Sequence, residues 1–144
     1  MRSPSLLFAF VFVCGSFVAC SGKGAAAGVY LLDRSNLREQ MAANGVTAAP
    51  QDREEQSQML DKIVAGMAGR IELKADGNAE LQFVAAGKSV ETRGTWRLVG
   101  STVAIDGTAQ NGSRETKLLQ LHDGSLTLEQ PGQKVPMKLV FHRQ

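Results

Sequence analysis

Two cysteines, Cys14 and Cys20, are the side chains of this sequence best suited to covalent chemistry. Cys14 accompanies the apolar run Leu6–Val13, which follows the basic Arg2 and precedes a series of small residues. This pattern is typical of an export signal, and the run is too short for a membrane-spanning helix. If the signal is removed before Cys20, Cys14 leaves with it, and Cys20 has no disulfide partner. We therefore predict a signal peptide over residues 1–19 and an unpaired Cys20 in the mature chain.

Two histidines, His122 and His142, are the remaining candidates for acid–base or metal chemistry. Neither belongs to a nucleophile, phosphate-loop or zinc-protease motif, and a zinc site would need three or four ligands. His122 is followed by Asp123 at a predicted turn, which is typical of an exposed polar pair. Strand parity places His142 on an outward face beside Lys138. We therefore predict no catalytic residue, no metal site and no cofactor, which means that the protein is not an enzyme.

The residues before Cys20 indicate how this cysteine is modified. Phe17-Val18-Ala19-Cys20 resembles the lipobox of bacterial lipoproteins, whose cysteine is acylated after cleavage. The resemblance implies palmitate-type chains, each contributing ~0.8 kcal/mol per buried CH₂. With Ser21 next, it implies a lipid anchor in the cell envelope, at an outer membrane and facing the periplasm. Residues 20–28 would then be a lipidated cysteine and a flexible tether. The alternative is cleavage after residues 25–27 and secretion without lipid.

The body of the protein, residues 29–144, begins with a strand and two helices. The β-prone segment Val29–Leu32 predicts the strand. Ser35 as N-cap and Gly45 as a left-handed stop predict a helix at about 35–44. A second helix is predicted at about 52–68, where Asp52 and Glu55 have capping-box spacing. Its apolar stripe, at helical spacing, consists of Met59, Leu60, Ile63, Val64 and Met67.

From Ile71 onwards apolar and polar residues alternate, which is the period of half-buried strands. Asp-Gly occurs three times between such runs and predicts hairpin turns. The second pair, Asp106-Gly107, begins a polar loop that extends to Arg114, and Leu118 interrupts the next alternation, which allows a bulge. Strands joined by short turns form an antiparallel up-and-down meander. About eight strands must close into a barrel to hide the apolar face, so the fold class is mainly β with a helical insert.

The inward face of this barrel supplies candidate ligand-binding residues. In an eight-stranded barrel the interior is just wide enough to be filled by side chains or to hold one small ligand. Gly94 lies two residues before Trp96 on the same face, so its missing side chain leaves room for an indole, a helix or a ligand. The candidate lining consists of Phe83, Gly94, Trp96, Leu98, Leu119, Leu121 and Phe141.

Three segments resemble a class of small bacterial lipoproteins with a lipocalin-like barrel, most of which have no assigned function. They are Leu73–Asn78, Gly94–Trp96 and the closing Met137–Phe141, and the resemblance covers roughly residues 28–144. Gly94-Thr95-Trp96 is also similar to the G-x-W motif of lipocalins, in which the tryptophan closes one end of the barrel. The resemblance implies a binding or scaffolding barrel in the cell envelope, without catalytic residues.

Two functions remain open from the sequence. The first is the binding of a small apolar or amphiphilic ligand inside the barrel. The second is a lipid-anchored structural or protein-interaction module with a filled barrel. A cavity above about 300 Å³ would favour the first. Sixteen basic and fourteen acidic residues give a net charge of +2, which is too small to indicate a nucleic-acid partner. The expected partners are therefore a membrane, through the lipid anchor, and a small apolar ligand.

Overall fold

The computed structural model describes residues 23–45, 53–132 and 134–144. Its eight strands pair antiparallel in chain order, and the last strand pairs with the first, which closes the barrel. The strands are β1 (Gly28–Leu32), β2 (Ala68–Leu73), β3 (Asn78–Ala85), β4 (Lys88–Val99), β5 (Thr102–Ala109), β6 (Arg114–His122), β7 (Ser125–Gln130) and β8 (Met137–Arg143). The described helices are α1 (Lys23–Ala26), α2 (Leu37–Asn44) and α3 (Arg53–Ala65). The predicted fold class, an antiparallel up-and-down barrel with two helices after the first strand, is confirmed.

Alternation along the strands builds the core, because every second side chain points into the barrel. On β5, for example, Val103 and Ile105 are both fully buried, and on β2 Ile71 and Leu73 are 1% exposed. The buried cluster draws on all eight strands and on α1 and α2 through Ala26 and Leu37. Burial of this apolar face is the main contribution to the stability of the closed sheet.

The segment predicted as a loop from Asp106 to Arg114 belongs largely to strands. β5 continues to Ala109, so Asp106-Gly107 is not a hairpin turn. The carboxylate of Asp106 accepts hydrogen bonds from the Thr116 hydroxyl, at 2.7 Å, and from Arg97, which holds this position in the sheet. β6 pairs with β5 in one continuous register without a bulge, and Leu118 faces outward. Asp76-Gly77 and Asp123-Gly124 do lie in turns between strands, so the Asp-Gly signal is right at two of its three positions.

The structure corrects the tether prediction at residues 23–28. Lys23–Ala26 forms the short helix α1, and Gly28 begins β1. Ala26 is completely buried against the barrel, which a flexible tether would not be. Cys20 and the predicted signal peptide lie outside the described residues.

The two predicted helices exist, with corrected ends. α2 has Asn36 rather than Ser35 at its N-cap, and the Ser35 N–H donates to Oδ1 of Asp33 at 2.8 Å in the preceding turn. Gly45 ends α2 in an extended conformation with φ −71°, not as a left-handed stop. α3 ends at Ala65, the Gly66 N–H donates to the Lys62 and Ile63 carbonyls of the last turn, and β2 begins at Ala68. The capping residue Asp52 lies outside the described residues.

The helices are attached to the barrel mainly through α2. Gln40 both donates to the Lys138 carbonyl, at 3.0 Å, and accepts from its N–H, at 2.5 Å, as a neighbouring strand would. α3 joins α2 through the ion pair of Arg38 with Asp61, and no residue of α3 is fully buried. Met59, on the predicted apolar stripe of α3, is 63% exposed. Within the described part of the chain, no helix has the length and apolar character that crossing a bilayer requires.

Candidate functional site

One end of the barrel is filled by side chains. This end carries the β2–β3, β4–β5 and β6–β7 turns, since the strands run alternately up and down. Trp96 is 3% exposed there, and its Nε1 donates to the Lys74 carbonyl in the β2–β3 connection at 2.8 Å. Leu119 of β6 is completely buried. The tryptophan thus closes this end, as the G-x-W resemblance implies.

α1 lies over the filled end and is fixed by three kinds of contact. The Arg143 guanidinium donates to the carbonyls of Ala25 and Ala27, both at 2.7 Å. The Tyr30 hydroxyl donates to the Ala26 carbonyl at 2.6 Å, and burial raises the pKa of this tyrosine. Nζ of Lys23 lies 5.2 Å from the centre of the Trp96 ring, a cation–π contact. This end is therefore a closed floor.

A cavity of about 350 Å³ occupies the other part of the interior. Asn111 and Ser113 of the β5–β6 turn line it, as do Val90 near the β3–β4 turn and Gln130 at the end of β7. These residues lie at the barrel end opposite Trp96, the end that also carries the long connection with α2 and α3. The cavity is therefore at the mouth of the barrel, above the closed floor.

The cavity has one apolar and one polar wall. The apolar wall comes from β2, β3, β7 and β8, and includes Ile71, Leu81, Phe83, Leu128, Leu139 and Phe141. Most of the polar lining residues come from β4, β6, the turn before β6 and the end of β7, and are Thr92, Asn111, Ser113, Glu115, Lys117 and Gln130. Arg70 of β2 and Gln82 of β3 also line the cavity. A site with a large apolar surface and a few grouped polar atoms can bury a hydrocarbon chain and hydrogen-bond its head group.

A connected charge cluster lies on the polar wall. The Thr92 hydroxyl donates to Oε1 of Glu115 at 2.5 Å, and Nζ of Lys117 lies 3.0 Å from Oε2 of the same carboxylate. Thr92 is 3% exposed. The hydrogen bond from Thr92, and then Lys117, hold the pKa of Glu115 below its ordinary value against the opposing effect of burial. The carboxylate is thus ionised at neutral pH, beside an ammonium group.

The structure brings two of the residues proposed from the sequence, Phe83 and Phe141, into the cavity wall. Trp96 and Leu119 are buried in the core at the filled end, and Leu98 and Leu121 pack half-buried against that core. None of these four residues lines the cavity.

Gly94 does not face an open interior. A Cβ at this position would lie 2.5 Å from the Cα of Gly107 and closer still to the Asp106 carbonyl oxygen. Its missing side chain therefore accommodates the β5 backbone, not a ligand. On the outside, Gly94 contributes to a polar groove of about 490 Å³ between Arg93, Thr95 and Arg114.

The charged cluster was missed by sequence reasoning. Glu115 and Lys117 precede Leu119 and Leu121 at intervals of two, so they share the inward face of β6. Extending the parity of Leu119 back towards Arg114 would have found them. The predicted polar loop extends to Arg114 and the predicted strand is marked by Leu119 and Leu121. Glu115 and Lys117 lie between the two and were therefore assigned to no strand face.

His142 lies outside the barrel, where parity predicts it, at the junction of β1, β7 and β8. Its Nδ1 is 2.8 Å from the Ser125 hydroxyl and its Nε2 is 3.1 Å from Oδ2 of Asp33. The Ser35 N–H, the Ser35 hydroxyl and His142 lower the pKa of Asp33. With its side chain 55% exposed, His142 connects strands at the barrel surface and does not enter the cavity. The described residues contain no group of three metal-ligating side chains that could hold an ion.

No protein-family model matches this chain, and no curated protein sequence matches it. Among solved structures, it is similar to the REP1-NXSQ fatty acid transporter, with 15% identity and a TM-score of 0.41 over 84% of this chain and 97% of that one. It is also similar to As-p18, an extracellular fatty acid binding protein, with 13% identity and a TM-score of 0.42 over 85% and 97% of the two chains. Both similarities are remote, so the assignment of a barrel rests on the strand pairing of this chain itself.

Proposed function

We propose that this protein binds one small amphiphilic molecule inside its barrel, without converting it, while an acylated Cys20 holds it at a membrane of a bacterial cell envelope. The observation that carries the binding proposal is the cavity of about 350 Å³ with one apolar wall and one polar wall. Its volume lies within the range of about 300–1,000 Å³ found for ligand pockets. The alternative, a structural module with a filled barrel, predicts that no cavity of this size is present.

The size of the cavity limits the ligand. If each non-hydrogen atom of the ligand takes the ~30 Å³ that a water molecule occupies, the cavity holds on the order of a dozen such atoms. The driving force for binding is the burial of apolar ligand surface, which contributes ~25 cal/mol per Å². A medium-length hydrocarbon chain with a compact polar head fits this volume and buries apolar surface.

Filling the cavity tests the binding proposal. Leu128→Trp adds bulk to the cavity wall on β7, whereas Leu118→Trp makes the same change on the outward face of β6, where Leu118 is 59% exposed. We expect native mass spectrometry to detect a bound small molecule on the purified wild type and on Leu118→Trp, and little or none on Leu128→Trp. A ligand retained equally by all three proteins would contradict binding in this cavity.

The anchor has its own test, with the second cysteine as control. Cys20→Ser should abolish metabolic labelling with palmitate and release the protein from membranes, because the acylated thiol is lost. Cys14→Ser, within the predicted signal peptide, should leave labelling and fractionation unchanged. Membrane fractionation of Cys20→Ser identical to the wild type would contradict the anchor but not the ligand-binding proposal.

A further inference from the structure

We propose that the bound amphiphile has an electrically neutral head group that both donates and accepts hydrogen bonds, such as an amide or an alcohol. A carboxylate or an amine on the same chain would bind more weakly. This inference rests on the proposed ligand-binding function and names the chemical class of the ligand.

The first argument is that both signs of charge are present at one point of the cavity wall. Glu115 and Lys117 are neighbours on the inward face of β6, with Nζ and Oε2 3.0 Å apart. Both line the cavity, and their side chains are only 28% and 34% exposed. Arg70, the third charged lining residue, is already paired with the Glu72 carboxylate at 2.7 Å. A head group that reaches one of them therefore also meets the other.

The second argument concerns charged head groups. An anion placed next to the ammonium of Lys117 lies within a few ångströms of the Glu115 carboxylate, so attraction and repulsion largely cancel. A cation placed next to Glu115 meets Lys117 in the same way. Either ion also loses hydration on entering the cavity, and that loss is not compensated. The ion pair thus selects against both kinds of charged head.

The third argument concerns neutral polar groups, which lose less hydration. The ammonium of Lys117 has three N–H donors, of which one is directed to Glu115. Each carboxylate oxygen of Glu115 has a further lone pair beyond those used by Thr92 and Lys117. An amide or hydroxyl group can accept from Lys117 and donate to Glu115 at once. The Gln130 side chain, in the same cavity wall, offers both functions as well.

A series of ligands with one chain length tests the inference. Decanamide, decanoate and decylammonium carry the same hydrocarbon length and differ in head-group charge at pH 7. We expect isothermal titration calorimetry of the delipidated wild type to give an affinity for decanamide at least tenfold higher than for either ion. Equal affinities, or tightest binding of decanoate or of decylammonium, would overturn the neutral-head inference while leaving ligand binding intact. Absence of binding by all three would overturn the proposed function as well.

Variants that leave one charge unopposed make the test independent of the absolute affinities. Glu115→Gln leaves Lys117 alone, so decanoate should become the tightest ligand, with at least a tenfold gain over wild type. Lys117→Met leaves Glu115 alone, and decylammonium should gain by a similar factor, so that either variant suffices if the other fails to fold. Glu129→Gln removes the same charge from the exposed outer face of β7, and its ligand order should remain that of the wild type. An unchanged ligand order in a folded Glu115→Gln or Lys117→Met protein would overturn the inference.

Discussion

At position 94 the backbones of β4 and β5 approach more closely than a side chain would permit. Gly94 and Gly107 are directly paired, and a Cβ on Gly107 would in turn lie 2.7 Å from Cγ2 of Thr92. The glycine pair thus lets the two strands approach each other beside Thr92, the residue that orients the cavity carboxylate. Residue 94 therefore influences the polar wall of the cavity through backbone geometry.

We predict that Gly94→Ala destabilises the protein by about 1–3 kcal/mol, the usual cost of forcing atoms into a packed position. The cause is the contact of the new Cβ with the Asp106 carbonyl and Gly107. Gly24→Ala is the matched control, because a Cβ there meets nothing within 4 Å. Urea denaturation of both variants measures the effect, and a Gly94→Ala midpoint equal to that of Gly24→Ala would contradict the predicted clash.

Sequence patterns predict which face of a strand each side chain occupies, but they do not predict the contacts between strands. Alternation predicts that Trp96 and Phe141 point inward, because parity is a property of one strand. The closeness of Gly94 to β5 depends on its register opposite Gly107, which no single strand encodes. Glu115 and Lys117 were accessible to parity but carry the residue types of an outer face. Their inward position is compensated by their mutual ion pair, a contact that only the structure displays.

Among the elements, α1 shows how a segment without a sequence pattern becomes ordered. Residues 23–26 lack an apolar period, yet Ala26 is completely buried because the barrel floor provides its contacts. The main polar attachment is Arg143 at the end of β8, which donates to carbonyls on both sides of Ala26. Tertiary contacts thus order a short segment that local propensity would leave as coil.

We predict that Arg143→Met loosens α1 and exposes the peptide bond after Lys23 to trypsin. Hydrogen bonds to a charged group contribute about 1.5–3 kcal/mol, so even the lower end of this range gives about tenfold more opening. Limited proteolysis followed by intact mass measurement reports the cleavage rate at Lys23. Arg114→Met is the control, because Arg114 is an exposed residue at the start of β6. This variant should be cleaved after Lys23 at the wild-type rate. An Arg143→Met rate equal to that of Arg114→Met would show that other contacts fix α1.

At the scale of the whole molecule, charge networks on the barrel link its stability to pH. Several described carboxyl groups have pKa values lowered by hydrogen bonds or ion pairs in the folded state: Asp33, Asp76, Glu80, Asp106 and Glu115. A lowered folded pKa contributes stability that is present above the ordinary carboxyl pKa and lost as the pH falls through the folded value. For Lys74 the sign is opposite, because its carboxylate partner Glu80 raises the lysine pKa and the contribution is lost in strong alkali.

We therefore expect the melting temperature to be level between about pH 5 and pH 8 and to fall below about pH 4, as the carboxyl groups with lowered pKa values gain protons.

Asp106 is the most direct residue to test, since the Thr116 hydroxyl, and then Arg97, lower its pKa. Asp106→Asn should reduce the difference in melting temperature between pH 7 and pH 3.5, because one of the linked protons is removed. Thr116→Val should reduce it in the same direction by deleting the largest cause of the shift. Thermal denaturation followed by circular dichroism across this range measures both. A wild-type protein that melts at its highest temperature near pH 3, or variants with an undiminished acid response, would show that these carboxylates do not control the stability of the barrel.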